Sequence, residues 1–365
     1  GHRERECYAR FSPDGTRVLT WGDATGQILD AATGTPVVAL RGHTADILDA
    51  RYGTDGRLVF TSSEDDSVRA WDAGTGNPLL NLQHAGATAA LPAPHPERLL
   101  TLAPGTEAVL WNLATRERLA SVPIPGVAHA GDRLASFHPE GGQLALCGSR
   151  GPVLLDTRDG RTLLSLEGHA GAVRSVHFNP AGNHLVTAGE DATARIWRVA
   201  TGQCERILSQ EGEAAALVEA RFSPDNRWIA ARTSRGTLVL WDAATGDRVA
   251  RIEFDPGADA PGLFTFSPSG ACLVTASFDA PSADLWEPST GRRLGRLLGD
   301  DGAVRTLDFG PDGRQVVAGS IFAPARVFVC DVCGSGDTLL AAAARRVPRE
   351  LTPGERARFV AAERR

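Results

Sequence analysis

Hydrophobic residues recur in short runs along this chain, and residues 168–202 show the pattern most completely. Three runs rich in Val, Ile, Thr and Trp are separated by turn-forming residues at 179–182, near Asp191 and at 200–202. A fourth run follows at 204–208. Short apolar runs bounded by Gly, Pro, Asn and Asp are typical of β-strands joined by tight turns. The segment therefore predicts a meander of four strands.

The same pattern is repeated throughout the chain, with variations. Its most regular feature is the residue pair at the end of the third run, which is Trp-Asp or a variant of it. The eight pairs are Leu29-Asp30, Trp71-Asp72, Trp111-Asn112, Leu155-Asp156, Trp197-Arg198, Trp241-Asp242, Trp286-Glu287 and Cys330-Asp331. Their spacing of about 40 to 45 residues is the period of a β-propeller blade.

Other residues keep the same register. A Gly-His pair precedes the copies at 42–43 and 168–169, and a Pro-Asp-Gly turn stands at 13–15 and 311–313. With the Trp-Asp pairs, these residues make the chain resemble the WD40 repeat family over about residues 1–332. The resemblance implies an all-β fold, a β-propeller of about eight four-stranded blades around a channel. Seven blades stay open as an alternative, because the fourth unit has neither Gly-His nor Trp.

The C-terminal residues do not continue the repeat. The run at 337–346 is rich in Leu and Ala, which favours helix, and Pro348 ends it. We therefore expect two parts, a propeller at 1–332 and a short α-helical tail at 333–365 that packs on or beside the propeller.

This tail stands where the last unit should have its fourth strand. A blade without an outer strand exposes a sheet edge that can pair with another strand. In the WD40 family, ring closure commonly takes that strand from the other end of the chain. We expect a strand upstream of residue 1 to complete the last blade; the alternative is that the tail helices cover the edge.

Two units carry a complete set of four polar residues in apolar surroundings. The family resemblance implies a buried network in which the indole N–H bonds the Thr hydroxyl, the hydroxyl bonds the His, and the His bonds the Asp. The two sets are His43, Thr61, Asp65, Trp71 and His169, Thr187, Asp191, Trp197. Such a set also resembles a hydrolase triad. Because it recurs in register with the repeat, it indicates architecture, and no catalytic residue is predicted.

Two loops depart from the short Asp-containing turn of the best copies. They read Ser-Phe-Asp-Ala-Pro-Ser-Ala at 277–283 and Ser-Ile-Phe-Ala-Pro-Ala-Arg at 320–326, and both would lie on one rim of the disc. A rigid Pro loop that presents an aromatic side chain can anchor a protein partner. The alternative is that each Phe folds back onto the neighbouring blade. The predicted partner-binding residues are Phe278, Asp279, Pro281, Phe322, Pro324 and Arg326.

The charge balance narrows the range of partners. The chain has 44 acidic and 38 basic residues, a net charge of −6, and the two signs are interspersed. No basic field that would attract nucleic acid is therefore expected. No apolar run reaches the roughly 18 to 20 residues of a membrane span, and no signal peptide opens the sequence. We predict protein partners, no membrane or nucleic-acid binding, and a cytoplasmic location.

No cofactor or metal site is predicted. The six cysteines are expected to be free thiols, mostly buried, in a reducing compartment. Cys330 and Cys333 have a metal-like spacing, but a single pair falls short of the four ligands of structural zinc. No Gly-rich segment with a Lys resembles a phosphate-binding loop. The repeat also singles out no convergent carboxylates or histidines at the channel mouth, which a propeller enzyme or small-ligand binder would need.

All 38 basic residues are Arg, and Met is absent. This usage suggests a high-GC bacterial genome and a chain that continues upstream. The tail at 339–359 resembles the end of large bacterial signalling proteins in which a WD40 propeller follows a nucleotide-switch, caspase-like or kinase domain. The sequence thus predicts a non-catalytic scaffold or sensor propeller, the regulatory C-terminal part of a larger bacterial signalling or defence protein with an upstream effector. The alternatives are a free-standing assembly scaffold and a propeller enzyme or small-ligand binder.

Overall fold

The structure, a computed structural model, describes residues 7–124, 131–148, 151–210, 215–253, 262–277, 282–298, 303–320 and 325–330. These residues form eight antiparallel sheets, one for each repeat unit. In every sheet the strands follow chain order from the first strand outward, so each sheet is a simple meander. The first strands of successive sheets pack side by side around a central channel. The fold is therefore an all-β propeller with eight blades.

Blades 1 to 4 each contain four strands. Blade 1 has β1 Tyr8–Phe11, β2 Arg17–Trp21, β3 Thr25–Asp30 and β4 Pro36–Arg41. Blade 2 has β5 Ile47–Tyr52, β6 Leu58–Ser63, β7 Ser67–Asp72 and β8 Pro78–Gln83. Blade 3 has β9 Ala89–Pro92, β10 Arg98–Ala103, β11 Glu107–Asn112 and β12 Glu117–Pro123. Blade 4 has β13 Ala135–Phe137, β14 Gln143–Gly148, β15 Gly151–Asp156 and β16 Thr162–Ser165.

Blades 5 to 7 also have four strands, and blade 8 has three. Blade 5 has β17 Val173–Phe178, β18 His184–Gly189, β19 Thr193–Arg198 and β20 Cys204–Ser209. Blade 6 has β21 Leu217–Phe222, β22 Trp228–Thr233, β23 Thr237–Asp242 and β24 Arg248–Glu253. Blade 7 has β25 Leu263–Phe266, β26 Leu273–Ala276, β27 Ser282–Glu287 and β28 Arg292–Leu298. Blade 8 has β29 Val304–Phe309, β30 Gln315–Ser320 and β31 Arg326–Val329.

Helix is almost absent from the part of the chain that the structure describes. One short 3-10 helix, Gly131–Leu134, precedes β13. Across these residues, no helix has the length and apolarity needed to span a membrane. The predicted helical tail at 333–365 lies outside the described residues.

The fourth unit, which has neither the Gly-His pair nor the Trp of the repeat, settles the number of blades. It forms a complete four-stranded sheet, so the count is eight and not seven. Leu155, which takes the place of the repeat Trp, is 1% exposed and belongs to a cluster shared with Leu110 of blade 3 and Phe178 of blade 5. An aliphatic side chain thus fills the position through apolar contacts alone.

The hydrophobic core lies between blades. Blades 5 and 6, for example, share one buried cluster that contains Val186 and Ile196 from the first and Leu217 and Ile229 from the second. A single twisted sheet has no interior, so its apolar faces are buried only when a neighbour covers them. Each blade therefore depends on the two blades beside it.

Polar side chains also join neighbouring blades near the channel. The first strand of each blade is a sheet edge, so some of its N–H groups lack a ladder partner. Ser136 Oγ of blade 4 accepts a hydrogen bond from Phe178 N–H of blade 5 at 3.1 Å. Ser175 Oγ of blade 5 accepts one from Ala220 N–H of blade 6 at 3.0 Å. These bonds satisfy buried backbone donors that would otherwise cost free energy.

The same kind of bond closes the ring between blade 8 and blade 1. Thr306 Oγ1 accepts from Ala9 N–H at 2.9 Å, and Asp308 Oδ2 accepts from Phe11 N–H at 3.0 Å. Buried Val317 of blade 8 packs in one cluster with Ala9 and Phe11 of blade 1. The seam between the first and last blades is thus built like the other inter-blade contacts.

Among the described residues blade 8 has no fourth strand, and β31 forms its outer edge. Val327 and Val329 of this edge are 37% and 68% exposed. Residues 1–6 and 331–365 lie outside the described part of the chain. The expected strand upstream of residue 1 and the alternative cover by the tail stay predictions.

The cysteines differ in part from expectation. Cys7, Cys147 and Cys272 are buried free thiols, whereas Cys204 is free but exposed because it begins the solvent-facing outer strand β20. Cys330 is 2% exposed and is disulfide-bonded, so the expectation of six free thiols is wrong there. The repeat pattern of the sequence identifies Cys330 as a core position, but it does not show that another cysteine is close enough to form a disulfide bond.

Gly319 lets the seam between blades 8 and 1 close. A Cβ at this position would overlap Cys7 O and lie 2.5 Å from Thr306 Oγ1. We expect Gly319→Ala to lower the free energy of unfolding by about 1 to 3 kcal/mol through overpacking, as measured by denaturant titration. Gly295→Ala in β28 is the matched control, because nothing lies within 4 Å of its added Cβ. Equal midpoints for the two variants would contradict this role.

Candidate functional site

The two rims of the disc carry different connections. Because each blade is a meander, the connections between blades lie at the same end as those between second and third strands. We call this side the loop rim. The turns from first to second strand and from third to fourth strand lie on the opposite side, which we call the turn rim.

The first predicted polar set comes together at the loop rim of blade 2. His43 Nδ1 lies 2.8 Å from Asp65 Oδ2, and His43 Nε2 lies 2.7 Å from Thr61 Oγ1. The Trp71 indole N–H donates to Thr61 Oγ1 at 2.8 Å. Because Nδ1 faces a carboxylate, it carries the proton, and Nε2 then accepts from the Thr61 hydroxyl. Thr61 and Trp71 are fully buried.

The second set has the same geometry in blade 5. His169 Nδ1 lies 2.9 Å from Asp191 Oδ2, and Nε2 lies 2.7 Å from Thr187 Oγ1. The Trp197 indole N–H donates to Thr187 Oγ1 at 2.9 Å. Two repeats that are separated along the chain by two others thus fold the same four residue types into the same arrangement.

Each carboxylate also fixes the backbone of two loops. Asp65 accepts hydrogen bonds from Thr44 N–H and from Ser67 N–H, both at 3.0 Å. Asp191 accepts from Ala170 N–H at 3.0 Å in the same way. A connection between blades is therefore tied to a turn within a blade, which holds this part of the loop rim in one conformation.

The charges of these groups follow from burial. Burial lowers the pKa of His43 and of His169, and the adjacent Asp only partly offsets this effect. Burial alone would raise the pKa of Asp191, but its hydrogen bonds lower it to about 2. Asp65 is shifted in the same direction for the same reasons. Each set thus holds a neutral imidazole and an ionised carboxylate near pH 7.

This arrangement is unsuited to nucleophilic catalysis. A nucleophile must reach a substrate atom, whereas the Thr61 and Thr187 hydroxyls are completely buried. Each hydroxyl already accepts from an indole and donates to an imidazole. The polar groups therefore satisfy one another, and they stabilise the loop rim.

Incomplete copies occur in two further blades. In blade 3, His84 uses Nδ1 to contact Thr101 Oγ1 at 2.6 Å, and the Trp111 indole donates to that oxygen at 2.8 Å. In blade 7, the Trp286 indole donates to Thr275 Oγ1 at 2.8 Å. The Thr–Trp contact is thus kept in more blades than the full set.

The predicted partner-binding residues can be located only in part. Those outside the described residues are Phe278, Asp279, Pro281, Phe322 and Pro324. Arg326 is described: it is the half-buried first residue of β31, where it pairs with Ala318. Their role in binding stays a prediction.

The loop rim has a second feature that the sequence pattern did not reveal. The first strands of blades 2, 5, 6 and 8 each contain a β-bulge close to this rim. The extra residues are Leu48, Arg174, Val218 and Arg305. A bulge redirects a side chain out of the strand alternation, and Leu48 is 37% exposed as a result.

A charged cavity lies at the other end of the channel, at the turn rim. The expectation that no histidine or carboxylate converges at a channel mouth is wrong here. The cavity is about 440 Å³ and its charged lining residues are Arg10, Arg51, His177, Arg221 and Asp308. Each stands just before the last residue of a first strand. Comparing this one position across the aligned repeats could have found them, but only ring closure brings them together.

A metal site is not apparent in the described ranges. They contain no group of three or more His, Cys, Asp or Glu side chains placed to hold a metal ion.

Sequence comparisons agree with the repeat pattern. The WD domain, G-beta repeat family model matches residues 34–72 and 160–198. The serine-threonine kinase receptor-associated protein of Gallus gallus is 28% identical over 197 residues, 53% of this chain and 55% of that protein. The nuclear distribution protein PAC1 of Arthroderma otae is 27% identical over 219 residues, 57% of this chain and 43% of that protein. The chain thus spans about half the length of these curated relatives.

Solved structures show the same fold. The C-terminal WD40 domain of Sif2 has a TM-score of 0.76 at 15% identity, with 89% of this chain and 96% of that chain covered. The computationally designed Ika8 protein has a TM-score of 0.71 at 21% identity, with 90% and 97% covered. At such identities the likeness concerns the fold alone.

Removing the central hydroxyl tests the blade 2 network. Thr61→Val leaves the Trp71 indole N–H without its acceptor and His43 Nε2 without its donor. We expect the free energy of unfolding to fall by about 1 to 3 kcal/mol, as measured by chemical denaturation. Thr61→Ser keeps the hydroxyl and should lose clearly less. If both substitutions cost the same, the hydrogen bonds are not what stabilises this site.

The networks also predict a pH dependence of stability. Because the pKa of His43 and of His169 is lowered on folding, the free energy of unfolding should fall as the pH drops below the ordinary value of 6.5. A second fall should begin below 3.8 and end near pH 2, because the pKa of Asp191 is also lowered. Denaturant titrations over a pH series measure both. In the double variant His43→Gln with His169→Gln, the free energy of unfolding should fall less below pH 6.5 than in the unsubstituted chain. An unchanged fall would show that these two histidines do not cause it.

Proposed function

Because the chain carries WD40 repeats and folds as an eight-bladed propeller, we propose that it is a non-catalytic scaffold or sensor that binds protein partners on its loop rim. The observation that carries this proposal is the pair of buried networks that tie loops of this rim to blades 2 and 5. Loops held in one conformation lose little entropy on binding, which favours specific recognition.

The surface of the loop rim supports the same proposal. The bulged residues present an apolar side chain, Leu48, and a partly exposed cation, Arg174, close to the channel. Apolar and Arg side chains are typical of the centres of protein interfaces. The sequence pattern also predicts the anchors Phe278 and Phe322 on this rim.

The relatives point to protein binding and regulation. By its name, the Gallus gallus protein associates with a serine-threonine kinase receptor. The PAC1 protein is named for nuclear distribution. Neither name describes an enzyme, and the repeats that they share with this chain are the part that supports a binding role here.

We further propose that the propeller is the regulatory C-terminal part of a larger bacterial signalling or defence protein, located in the cytoplasm. The support is the resemblance of the tail at 339–359 and the use of Arg without Lys. In this arrangement the loop rim contacts either an upstream effector or the molecule that the effector must sense. A free-standing assembly scaffold is the alternative, and the intact mass of the native polypeptide distinguishes the two.

Substitutions on the loop rim test the partner-binding proposal. Leu48→Asp and the double variant Phe278→Ala with Phe322→Ala should each reduce partner capture by about tenfold or more, because truncated anchors dominate interface energies. The measurement is affinity capture by the purified chain from an extract of its source cells, quantified by mass spectrometry.

Leu79→Asp is the matched control for this experiment. Leu79 is 52% exposed on β8, the outer strand of the same blade, away from the loop rim. It should leave capture unchanged, and all variants should keep the melting temperature of the unsubstituted chain. Equal capture by every variant, or a loss of stability without a change in capture, would remove the loop rim as the binding surface.

A further inference from the structure

The cavity at the turn rim is separate from the proposed protein-binding surface. It opens among the turns that contain Pro13, Thr54 and Pro94. Its volume of about 440 Å³ is within the roughly 300 to 1,000 Å³ of small-molecule sites. Its lining comes from every blade except blade 7, so the ring as a whole forms it.

Two arginines enter the cavity from blades 1 and 2 and share one carboxylate. Arg51 Nε lies 2.7 Å from Asp49 Oδ2, and Arg10 Nη2 lies 3.7 Å from Asp49 Oδ1. Asp49 is buried, so it orients both guanidinium groups. Arg10 lines the cavity and keeps 31% of its side chain exposed, so a ligand in the cavity can reach its guanidinium group.

A second carboxylate, that of Glu219 in blade 6, is also shared by two arginines. Arg221 Nε lies 2.7 Å from Glu219 Oε1, and Arg232 Nη2 lies 3.5 Å from Glu219 Oε2. Burial alone would raise the pKa of Glu219, but the positive groups around it lower the pKa overall. Those groups are Arg221, Arg232, Arg133 and His177.

Arg232, which shares Glu219 with Arg221, is buried in blade 6. This residue is 4% exposed, and among the described residues its Nε and Nη1 atoms have no hydrogen-bond partner. Burial lowers its pKa to about 10, so it is still a cation at neutral pH. A buried cation with two unpartnered nitrogen atoms is unfavourable, and the carboxylate beside it, that of Glu219, is shared with Arg221.

Asp308 only partly opposes this field. It lines the cavity at blade 8 and accepts a hydrogen bond from Phe11 N–H. Burial raises its pKa, despite the nearby charges of Arg10 and Arg51, so its ionised form is disfavoured. Among the described lining residues, Arg10, Arg51 and Arg221 therefore share the cavity with one carboxyl group, that of Asp308, whose ionised form is disfavoured.

We infer that this cavity binds a small organic anion whose phosphate or carboxylate groups pair with Arg10, Arg51 and Arg221. In a ring of eight, blade 2 lies opposite blade 6, so Arg51 and Arg221 approach an anion on the axis from two sides. His177 of blade 5 likewise lies opposite Arg10 of blade 1. Guanidinium groups bind such anions through paired charge-assisted hydrogen bonds.

The remaining wall fits the organic part of such a ligand. Phe11, Tyr52, Leu91 and Phe137 line the cavity next to the charged groups. Apolar and aromatic surfaces combined with a few convergent charges are typical of small-molecule sites. A bare inorganic ion would leave this surface without a partner.

Isothermal titration calorimetry on the full chain, at constant ionic strength, tests this inference with pyrophosphate, citrate and ADP. Binding of pyrophosphate but not citrate assigns phosphate recognition, and the reverse assigns carboxylate recognition. Tighter binding of ADP than of pyrophosphate assigns a role to the apolar wall. If none of the three binds at millimolar concentration, the inference is overturned.

Two variants connect binding to the arginines. Arg10→Gln leaves Asp49 paired with Arg51, and Arg221→Gln leaves Glu219 paired with Arg232, so each buried carboxylate keeps a cation. Each variant should raise the Kd of the bound probe by about tenfold or more, because a charge-assisted contact is lost. Arg221→Lys should give an intermediate Kd, because it keeps the charge without the planar fork.

Arg57→Gln is the matched control. Arg57 is exposed on the β5–β6 turn of the same rim but does not line the cavity. The substitution Arg57→Gln therefore removes the same charge as Arg10→Gln without changing the cavity. It should leave the Kd unchanged. Equal weakening by Arg57→Gln and Arg10→Gln would show that the anions respond only to net charge, which would also overturn the inference. The capture experiment with the loop-rim variants does not depend on either result. The two proposals are therefore tested separately.

Discussion

Burial between blades is the constraint on which the structure depends. A four-stranded sheet cannot bury both of its apolar faces by itself, so every blade requires two neighbours. In an open row the end blades would each expose one apolar face, and closing the ring removes both ends. The contacts of Val317 with Ala9 and Phe11 show blade 8 covering blade 1 in this way. The hydrogen bonds of Thr306 and Asp308 across this seam follow from the same requirement.

The polar side chains at the two rims are arranged differently. At the loop rim, buried His, Thr, Asp and Trp side chains satisfy one another and hold the loops in place. Polar groups that are fully paired stabilise a structure and leave little reactivity. At the turn rim, ring closure brings Arg10, Arg51 and Arg221 together around one cavity. One rim is therefore suited to rigid presentation and the other to binding a charged ligand.

The repeats that lack part of the usual residue set show which contacts the fold requires. Blade 4 has no Trp at the end of its third strand, yet Leu155 fills that place and the sheet is complete. His84 of blade 3 keeps its contact with Thr101 through a different ring nitrogen. Apolar volume at the core positions is kept in blade 4, whereas the complete polar network is found, among the described residues, in blades 2 and 5.

The sequence by itself determined the strands, their turns, the number of units and the positions of the two full networks. All of these depend on residues within one repeat, where local spacing carries the information, and the third strands end where the pattern predicted, as β7 does at Asp72. Only the tertiary structure decided that unit four is a blade, how blades 8 and 1 meet, and which residues line the turn-rim cavity. Arg51 and His177 are 126 residues apart in the chain, and a circular arrangement is what places both on one cavity. The bulge that exposes Leu48 also stayed hidden, because an extra residue within a strand leaves the hydrophobic pattern almost unchanged.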